Sequence, residues 1–326
     1  MEFDLIEQIR VRCAMPRADV RLGIGDDAAV LAPPAGHELV ACADTLVAGV
    51  HFPVATRARD LGWKARAVNL SDLAAMGATP AWALLALTLP AADPTFVADF
   101  ADGFAELAAE HRVALVGGDT TRGPLTVTVV AHGFVPPGRE LRRGGARAGD
   151  LVFVTGTLGD AAAGLRCLDR RDPRAPSLFD AAPDAREFLV ARLDRPTPRI
   201  AAGVALRAFA SACIDVSDGL VADLGHVAAG SRAGIEIDAL QLPASSALLA
   251  LFDADERLAL PAGGGDDYEL AFTVPAARVA DMQRDIARIG CGATRIGRVV
   301  AGEGVHLLAA DGAAIMLRRR GWDHFA

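Results

Sequence analysis

The chain has 326 residues, of which 52% are hydrophobic, and a formal net charge of −8. This length favours two domains of roughly 150 residues each, and the apolar content is too high for a disordered chain. The negative charge and the lack of a basic tract argue against a nucleic-acid or anionic-membrane partner.

The sequence shows no feature of export or membrane insertion. Its 5 cysteines are widely spaced and form no C-x-x-C pair, which is typical of a reduced cytosolic protein. The first residues, MEFDLIEQIR, contain no apolar signal-peptide core. The longest apolar run, Ala81–Leu89, is far short of the roughly 20 residues that a membrane helix needs. We therefore expect a cytoplasmic protein.

The first half of the chain reads as strands separated by two helices. Helices are predicted near Arg57–Met76 and Phe96–His111, from the spacing of their apolar residues. Strands are predicted at Leu39–Ala43, Trp82–Leu89, Ala114–Val116 and Leu125–Phe134. After Phe134 the segment VPPGRELRRGGARAGD is rich in proline and glycine, so we expect a first domain over residues 1–138.

The second half alternates strands with helices, which is typical of an α/β domain, here expected over residues 149–326. Helices are predicted at Pro198–Ala210, after Ser217 as an N-cap, and near Ala276–Ile289; the stretch Arg171–Asp184 is predicted as a surface loop. The predicted strands are Leu151–Val154, Ala212–Asp215, Ile235–Ile237, Glu269–Val274, Thr294–Val299 and Val305–Leu308. The expected fold class is thus α/β (α+β) with two domains.

Acidic residues recur beside glycines or at the ends of apolar runs. In the first half these are Asp27 in GIGDD, Asp44 in ACADT and Asp119 in VGGDTT. A glycine beside a carboxylate lets the backbone approach a ligand closely, although a Gly-Asp pair also makes ordinary turns. Three such carboxylates within 120 residues favour a shared role over three separate turns.

Asp72 is the most informative single residue. Leu61, Ala65, Val68, Asp72 and Ala75 recur at helical spacing, so Asp72 is predicted to lie within an apolar stripe. A carboxylate there needs compensation. Coordination to a metal is one interpretation, and acceptance of backbone N–H bonds is the other.

The second half contributes Asp215 and Asp218 in IDVSDG, and Asp266 in GGGDDYEL. Ser217 or Asp218 could be a simple helix N-cap, and the alternative is that Asp215 ligates a metal. Carboxylates gathered without cations repel one another, and the sequence offers few basic partners near them. Magnesium prefers carboxylate oxygens and completes its shell with water and substrate phosphates. The pattern therefore predicts magnesium-dependent phosphate chemistry.

No lysine-bearing phosphate loop is present, because the one lysine, Lys64, is followed by Ala65. A nucleotide would therefore bind through metal ions and arginine. Arg142 and Arg143 between the two predicted domains are candidates, unless they belong to a solvated linker. His51, in AGVHFP, could contact a phosphate of the acceptor, although a lone histidine is more often structural.

These motifs together resemble one known family. The ordered set GIGDDAAVL, ADTLVAGVHF, KARAVNLSDLAAMGATP, VGGDTTRG, AHGFVP, IDVSDGLVADLGH and GGGDDYEL is similar to that of the thiamine-monophosphate kinases. That family belongs to the superfamily of ATP-dependent enzymes that includes aminoimidazole ribonucleotide synthetase. The similarity runs from about Arg21 to the final GWDHF.

The resemblance implies a reaction and a set of roles. ATP would phosphorylate thiamine monophosphate to thiamine diphosphate, the last step of thiamine diphosphate biosynthesis, by direct in-line transfer without a covalent enzyme intermediate. It implies several Mg²⁺ ions, with K⁺ as a candidate further ion, and a homodimer formed through the sheet of the N-terminal domain. The residues implied are Asp27, Asp44, Asp72, Asp119, Asp215 and Asp218 for metal, Gly118, Asp119, Arg143 and Ser217 for ATP, and His51, Asp266 and Trp322 for thiamine monophosphate.

Three positions depart from the family pattern. The residues before Asp44 are Cys42 and Ala43, where hydroxyl-bearing residues are usual. Asp266 stands where the longer Glu is usual. A substrate-contacting aromatic of the family falls on Arg319, so Trp322, three residues later, is expected to replace it.

The same fold could carry other functions, either another ATP-dependent enzyme of the superfamily or a non-catalytic sensor. A selenophosphate synthetase would need a reactive N-terminal cysteine close to a lysine, and Cys13 has no such neighbour. An aminoimidazole ribonucleotide synthetase is a further alternative within the superfamily. A non-catalytic nucleotide or metal sensor is a different class, against which the nearly complete carboxylate set argues.

Overall fold

The structure is a computed structural model that describes residues 2–169 and 182–323. The chain forms two compact units: the first holds the residues up to Leu73 and Ala78–Glu140, and the second holds Ala74–Gly77 and the chain from Leu141 onward. Most of the predicted loop Arg171–Asp184 lies outside the described residues; Asp184 itself belongs to a helix.

Two general features concern the whole described chain. No helix among residues 2–169 and 182–323 is long and apolar enough to cross a bilayer. No disulfide joins the 5 cysteines, all of which lie in the described ranges.

The first unit is built on one four-stranded sheet. Its strand order is β3-β6-β4-β5, in which β4 and β5 are parallel and the other neighbours are antiparallel. A separate pair, β1 and β2, is antiparallel. The elements are α1 (Glu2–Arg12), β1 (Val20–Leu22), β2 (Val30–Leu31), β3 (Glu38–Val47), α2 (Ala58–Ala75), β4 (Thr79–Leu89), α3 (Pro94–His111), β5 (Ala114–Arg122) and β6 (Thr126–Val135).

Helix α2 is buried almost all round, rather than along one stripe. From Leu61 to Ala75 every residue is buried except Asp72. Close helix contact makes this burial possible: a Cβ built on Gly62 would lie 2.0 Å from the carbonyl oxygen of Phe100 in α3. The prediction that Asp72 lies within an apolar stripe was therefore wrong in one respect, because the burial extends round the helix and Asp72 is the half-buried exception.

The second unit is built on a six-stranded sheet. Its order is β12-β9-β11-β7-β10-β8, with only β12 and β9 parallel. Its strands are β7 (Leu151–Thr155), β8 (Ala212–Asp215), β9 (Gly234–Asp238), β10 (Leu270–Val274), β11 (Ala293–Val300) and β12 (Val305–Leu308). Its helices are α4 (Asp160–Leu168), α5 (Pro183–Asp194), α6 (Ile200–Leu206), α7 (Leu220–Ser231), α8 (Ser246–Leu251), α9 (Ala254–Gly263) and α10 (Val279–Arg288).

Both faces of this sheet are covered along β7, β8 and β10, which explains why these three strands are almost continuously buried. Val152 and Val154 of β7 belong to a core that includes Leu220 and Leu224 of α7. Between them, Phe153 stacks on Phe272 of β10 with ring centroids 5.7 Å apart. The sheet is thus a rigid base, and the loops at the ends of its strands carry the candidate site.

Candidate active site

In the first unit, Asp44 and Asp72 lie beside the same cysteine. Cys42 of β3 donates from its Sγ to the carbonyl oxygen of Asn69 in α2 at 3.4 Å, and the N–H of Asp44 donates to Asn69 Oδ1 at 3.2 Å. Burial raises the pKa of the Cys42 thiol, and the charges of Asp72 and Asp44 raise it further. The thiol is therefore neutral, which makes it a poor replacement for the hydroxyl expected before Asp44.

Asp44 and Asp119 were predicted to follow their strands, and this was wrong. Strand β3 continues past Asp44 to Val47, and β5 continues through Gly117 and Gly118 to Arg122. Both carboxylates therefore project from within strands. Pairing with β4 keeps Gly117 and Gly118 extended within β5. Gly118 has φ 151°, and a Cβ on it would lie 1.8 Å from the carbonyl oxygen of Leu85, so the close approach of the two strands requires a glycine at this position.

The structure does not bring Asp44 and Asp119 together within one chain. They lie on β3 and β5, the two edge strands of the four-stranded sheet. Three strand spacings separate these edges by about 14 Å. Accordingly, no group of three or more His, Cys, Asp or Glu side chains in the described ranges is close enough to hold a metal ion by itself.

Two further predicted residues of the first unit lie in turns. Asp27 is exposed, and its N–H donates to Asp26 Oδ1 at 2.9 Å. His51 is half-buried, and its Nδ1 accepts the N–H of Val47 at 2.9 Å. That bond places the proton of the neutral imidazole on Nε2, so His51 can act as a donor to an anionic ligand.

In the second unit, the loop Asp215–Gly219 is organised by a residue that the sequence analysis missed. The buried carboxylate of Asp223 accepts the N–H groups of Ser217, Asp218 and Gly219 through Oδ2 at 3.0–3.1 Å. The predicted N-cap role of Ser217 or Asp218 was wrong, because Gly219 precedes α7 and no side chain caps it. The sequence signal for this role was the position of Asp223 in the first turn of a helix that begins directly after Gly219.

The charges around Asp223 show that the loop gathers acids. Burial, together with the negative charges of the neighbouring Asp215 and Asp218, raises the pKa of Asp223 to about 8. Asp215 is itself buried at the end of β8, while Asp218 is half-buried. Three carboxylates thus share one corner, which favours a bound cation.

The residues predicted to meet the substrate lie against this same loop. The N–H of Asp266 donates to the carbonyl oxygen of Ser217 at 2.8 Å, and the N–H of Trp322 donates to that of Asp218 at 2.9 Å. Tyr268 donates from its hydroxyl to Asp266 Oδ1 at 3.0 Å. The second unit therefore joins Ser217, Asp218, Asp266 and Trp322 into one group.

The aromatic ring predicted near the C-terminus is accessible. Trp322 is 43% exposed, and the guanidinium carbon of Arg319 lies 5.1 Å from its ring centroid. Arg319 therefore covers one face of the ring as a cation–π contact. Arg143 is exposed in an irregular segment. The backbone carbonyl oxygen of its neighbour Arg142 accepts the N–H of Cys213 at 2.8 Å.

The donor set fits magnesium. Half-buried or exposed carboxylates such as Asp44, Asp72 and Asp119 offer the hard oxygen ligands that magnesium prefers. The sulfur beside Asp44 and Asp72 is the neutral thiol of Cys42. Their incomplete convergence matches an ion whose shell is completed by water and phosphate oxygens rather than by an all-protein cage.

Comparison with known proteins first defines the class. Residues 25–135 match the family described as AIR synthase related protein, N-terminal domain, and residues 147–309 match AIR synthase related protein, C-terminal domain. The two units therefore have the fold of this class, a mixed α/β protein of two AIR synthase-type domains.

The relatives then define the family. The thiamine-monophosphate kinase of Escherichia coli K12 is 47% identical over 326 residues, covering 100% of this chain and 98% of its own. A crystal structure of thiamine-monophosphate kinase from Stenotrophomonas maltophilia K279a has 51% identity and a TM-score of 0.87, covering 96% of this chain and 98% of that one. The chain belongs to the thiamine-monophosphate kinase family.

A further solved structure carries ligands. It is AaThiL complexed with AMPPCP and TMP, with 34% identity and a TM-score of 0.75, covering 99% of this chain and 97% of that chain. The synthetase and sensor alternatives are not favoured by these matches.

The Asp223 carboxyl generates a pH prediction. Because its pKa rises on folding from 3.8 to about 8, its contribution to stability is full at pH below 3.8 and is lost as pH rises through about 8. In metal-free protein, we expect the unfolding free energy of Asp223→Asn to decrease less steeply than that of the wild type between pH 3.8 and about 8, because the variant has no titrating group at this position. The variant should still fold, since its amide oxygen can accept the loop N–H groups. Urea unfolding at a series of pH values with a chelator measures the unfolding free energy.

The matched control is Asp281→Asn, which changes an exposed carboxylate on α10. It should leave the pH profile of the unfolding free energy as in the wild type. A profile equally steep in Asp223→Asn and the wild type would contradict the assignment.

Proposed function

We propose that this protein catalyses the ATP-dependent phosphorylation of thiamine monophosphate to thiamine diphosphate. The observation that carries the proposal is full-length similarity to thiamine-monophosphate kinases, with 47% identity over 326 residues. The ligands AMPPCP and TMP in the related AaThiL structure match an ATP analogue and this acceptor. The protein is therefore an enzyme, a phosphotransferase with a phosphate group as acceptor.

The chemistry explains why no nucleophile or general base is assigned. An oxygen of the acceptor phosphate attacks the γ-phosphorus of ATP, and the bond from that phosphorus to the β–γ bridging oxygen breaks, leaving ADP. The attacking oxygen is already anionic, so no proton has to be removed. Positioning and charge neutralisation are then the main tasks of the protein.

We assign the metal-binding role to the carboxylates of both units. Bound magnesium would neutralise phosphate charge and orient the phosphoryl group. Asp44 and Asp72 are supported by their shared contact with Cys42, and Asp215 and Asp218 by their common effect on Asp223. The full proposed set is Asp27, Asp44, Asp72, Asp119, Asp215 and Asp218, with K⁺ as a candidate further ion.

The remaining roles follow from chemistry and exposure. For ATP we propose Gly118, Asp119, Arg143 and Ser217. The exposed guanidinium of Arg143 can bind phosphate oxygens as a fork.

For thiamine monophosphate we propose His51, Asp266 and Trp322. The Nε2–H of His51 can donate to the phosphate, and Asp266 and Trp322 present a carboxylate and a ring to the cationic, aromatic part of the substrate.

We also propose a homodimer in the cytoplasm. On β3, Ala41, Ala43 and Thr45 are exposed, whereas the alternating Cys42 and Asp44 face α2. An exposed sheet face lined by small, uncharged side chains is suited to pairing with a second copy. The domain limits proposed for the dimerising and C-terminal parts are residues 1–138 and 149–326.

The metal assignment predicts a loss of turnover. Asp72→Asn and Asp119→Asn keep the side-chain shape but remove the charge that offsets magnesium. Each should fold and should lose about a hundredfold or more in kcat, equivalent to roughly 3 kcal/mol of transition-state stabilisation. Thiamine diphosphate formation at limiting magnesium measures this, with circular dichroism to verify folding.

The control is Asp99→Asn, which alters an exposed carboxylate on α3. Its kcat should equal that of the wild type. Wild-type turnover at limiting magnesium in Asp72→Asn would remove that residue from the metal set, and the same holds for Asp119→Asn.

The substrate assignment predicts a selective effect of Trp322→Ala. Loss of the ring should weaken thiamine monophosphate binding by roughly 1–3 kcal/mol and leave ATP affinity nearly unchanged. Tryptophan fluorescence reports it directly: substrate should quench the wild type, Trp63→Phe and Trp82→Phe, but not Trp322→Phe. Trp63 and Trp82 serve as controls because they are only 8% and 1% exposed. Quenching that persists in Trp322→Phe would place the thiamine rings against another side chain.

The dimer proposal predicts the effect of a charge on the exposed sheet face. Ala41→Glu buries a carboxylate if a second copy covers this face, so it should shift the protein from dimer to monomer in sedimentation equilibrium. Ala109→Glu on the exposed side of α3 is the control and should leave the molecular mass unchanged. A wild-type monomer at micromolar concentration, or an unaffected Ala41→Glu dimer, would contradict the proposal.

A further inference from the structure

The turn that carries Asp266 has an unfavourable backbone. Asp266 and Tyr268 have φ of 68° and 52°, so both lie in the left-handed region, although neither is glycine. A Cβ crowds the backbone there, and the conformation persists only where the surroundings impose it. Two such residues flank Asp267. The turn Asp266–Tyr268 therefore needs an explanation in its contacts.

Asp267 supplies the first contact. Its side chain is buried, with 1% exposure, and Oδ2 accepts the N–H of Gly159 at 2.6 Å while Oδ1 accepts that of Ala161 at 3.3 Å. These are N–H groups at the start of α4, which the helix itself cannot satisfy. The carboxylate thus fastens the middle of the turn to the start of a helix.

Arg192 of α5 supplies the second contact. Its Nη2 donates to the carbonyl oxygen of Asp267 at 3.4 Å and to Glu269 Oε1 at 2.9 Å. Glu269 is buried and is in turn held by Arg199 through two bonds of 2.6 and 2.5 Å, and by the hydroxyl of Thr155 at 2.6 Å. Arg192 is thereby fixed in a position where it orients the peptide between Asp267 and Tyr268.

The other side of the turn contacts the loop described above. The N–H groups of Asp266 and Tyr268 donate to the carbonyl oxygens of Ser217 and Val216 at 2.8 and 2.9 Å. The Tyr268 hydroxyl donates to Asp266 Oδ1. The Asp266 carboxylate is consequently held in one orientation beside Ser217 and Asp218.

We propose that Asp267 and Arg192 are positioning residues for thiamine monophosphate, which hold the strained turn so that Asp266 is oriented before the substrate arrives. This inference rests on the proposed function of the protein. It assigns a role to the second aspartate of GGGDDYEL and to an arginine distant in sequence. Neither side chain is required to touch the substrate.

The chain contains 1 tyrosine, Tyr268, and this makes the turn observable without any activity assay. Protein labelled with ¹³C in its tyrosine ring gives a single residue's signals. In Asp267→Asn, one amide oxygen can serve only one of the two N–H groups of α4. In the milder Arg192→Lys, the positive charge stays, but an ammonium on a differently shaped side chain replaces the planar guanidinium whose Nη2 donates to both Asp267 and Glu269. We expect both variants to move the Tyr268 signal.

The same variants are assayed as kinases. The KM for thiamine monophosphate should rise about tenfold or more, while the KM for ATP changes by less than about twofold. A purely structural role would lower the amount of active enzyme without separating the two KM values. Arg186→Lys, an exposed position on the same helix, is the matched control and should leave both the signal and the kinetics unchanged.

The outcomes separate the two proposals. A wild-type protein that does not phosphorylate thiamine monophosphate overturns the proposed function, whatever the spectra show. A wild-type Tyr268 signal in both Asp267→Asn and Arg192→Lys overturns the positioning role. So does an unchanged KM for thiamine monophosphate, or an equal rise in both KM values.

Discussion

Compensation of carboxylate charge is the constraint on which the rest of this structure depends. An uncompensated buried carboxylate costs several kcal/mol, so each one needs hydrogen-bond donors or a cation. In the second unit, Asp223 is served by three loop N–H groups, Asp267 by two helix N–H groups, and Glu269 by two arginines. These bonds join the loops to the sheet and helices around them.

Each anchored carboxylate lies close to one that we assign to ligands. Asp223 accepts N–H groups of the loop that contains Asp215 and Asp218, and Asp267 fastens the turn that contains Asp266 to the start of α4. The buried Asp223 and Asp267 thus fix the loop and the turn that carry the carboxylates proposed for metal and substrate, as phosphoryl transfer by preorganised groups requires. In the first unit α2 does the same for Asp72, because the burial of its neighbours in the helix fixes this half-buried carboxylate beside Cys42.

Much of the fold could be predicted because periodicity reports burial. The strands Ala212–Asp215 and Val305–Leu308 were predicted with their observed limits, and α2 and α3 within two residues at each end. Strands β3 and β5 were cut short at Asp44 and Gly117, because local propensity places acids and glycines in turns while sheet pairing keeps them extended. Helices α1, α5, α8 and α9 were missed, since their short or irregular apolar patterns carry little periodic signal.

The sequence by itself determined the class of chemistry: carboxylates beside glycines, no lysine-bearing phosphate loop, and an ordered motif set shared with one kinase family. Only the tertiary structure decided which acids are buried in structural roles and which stay partly exposed. In GGGDDYEL, Asp266 and Asp267 are adjacent and chemically identical, yet one is half-exposed and the other is buried against α4. Hydrogen bonds from residues more than 100 positions away make that difference, and no local pattern encodes them.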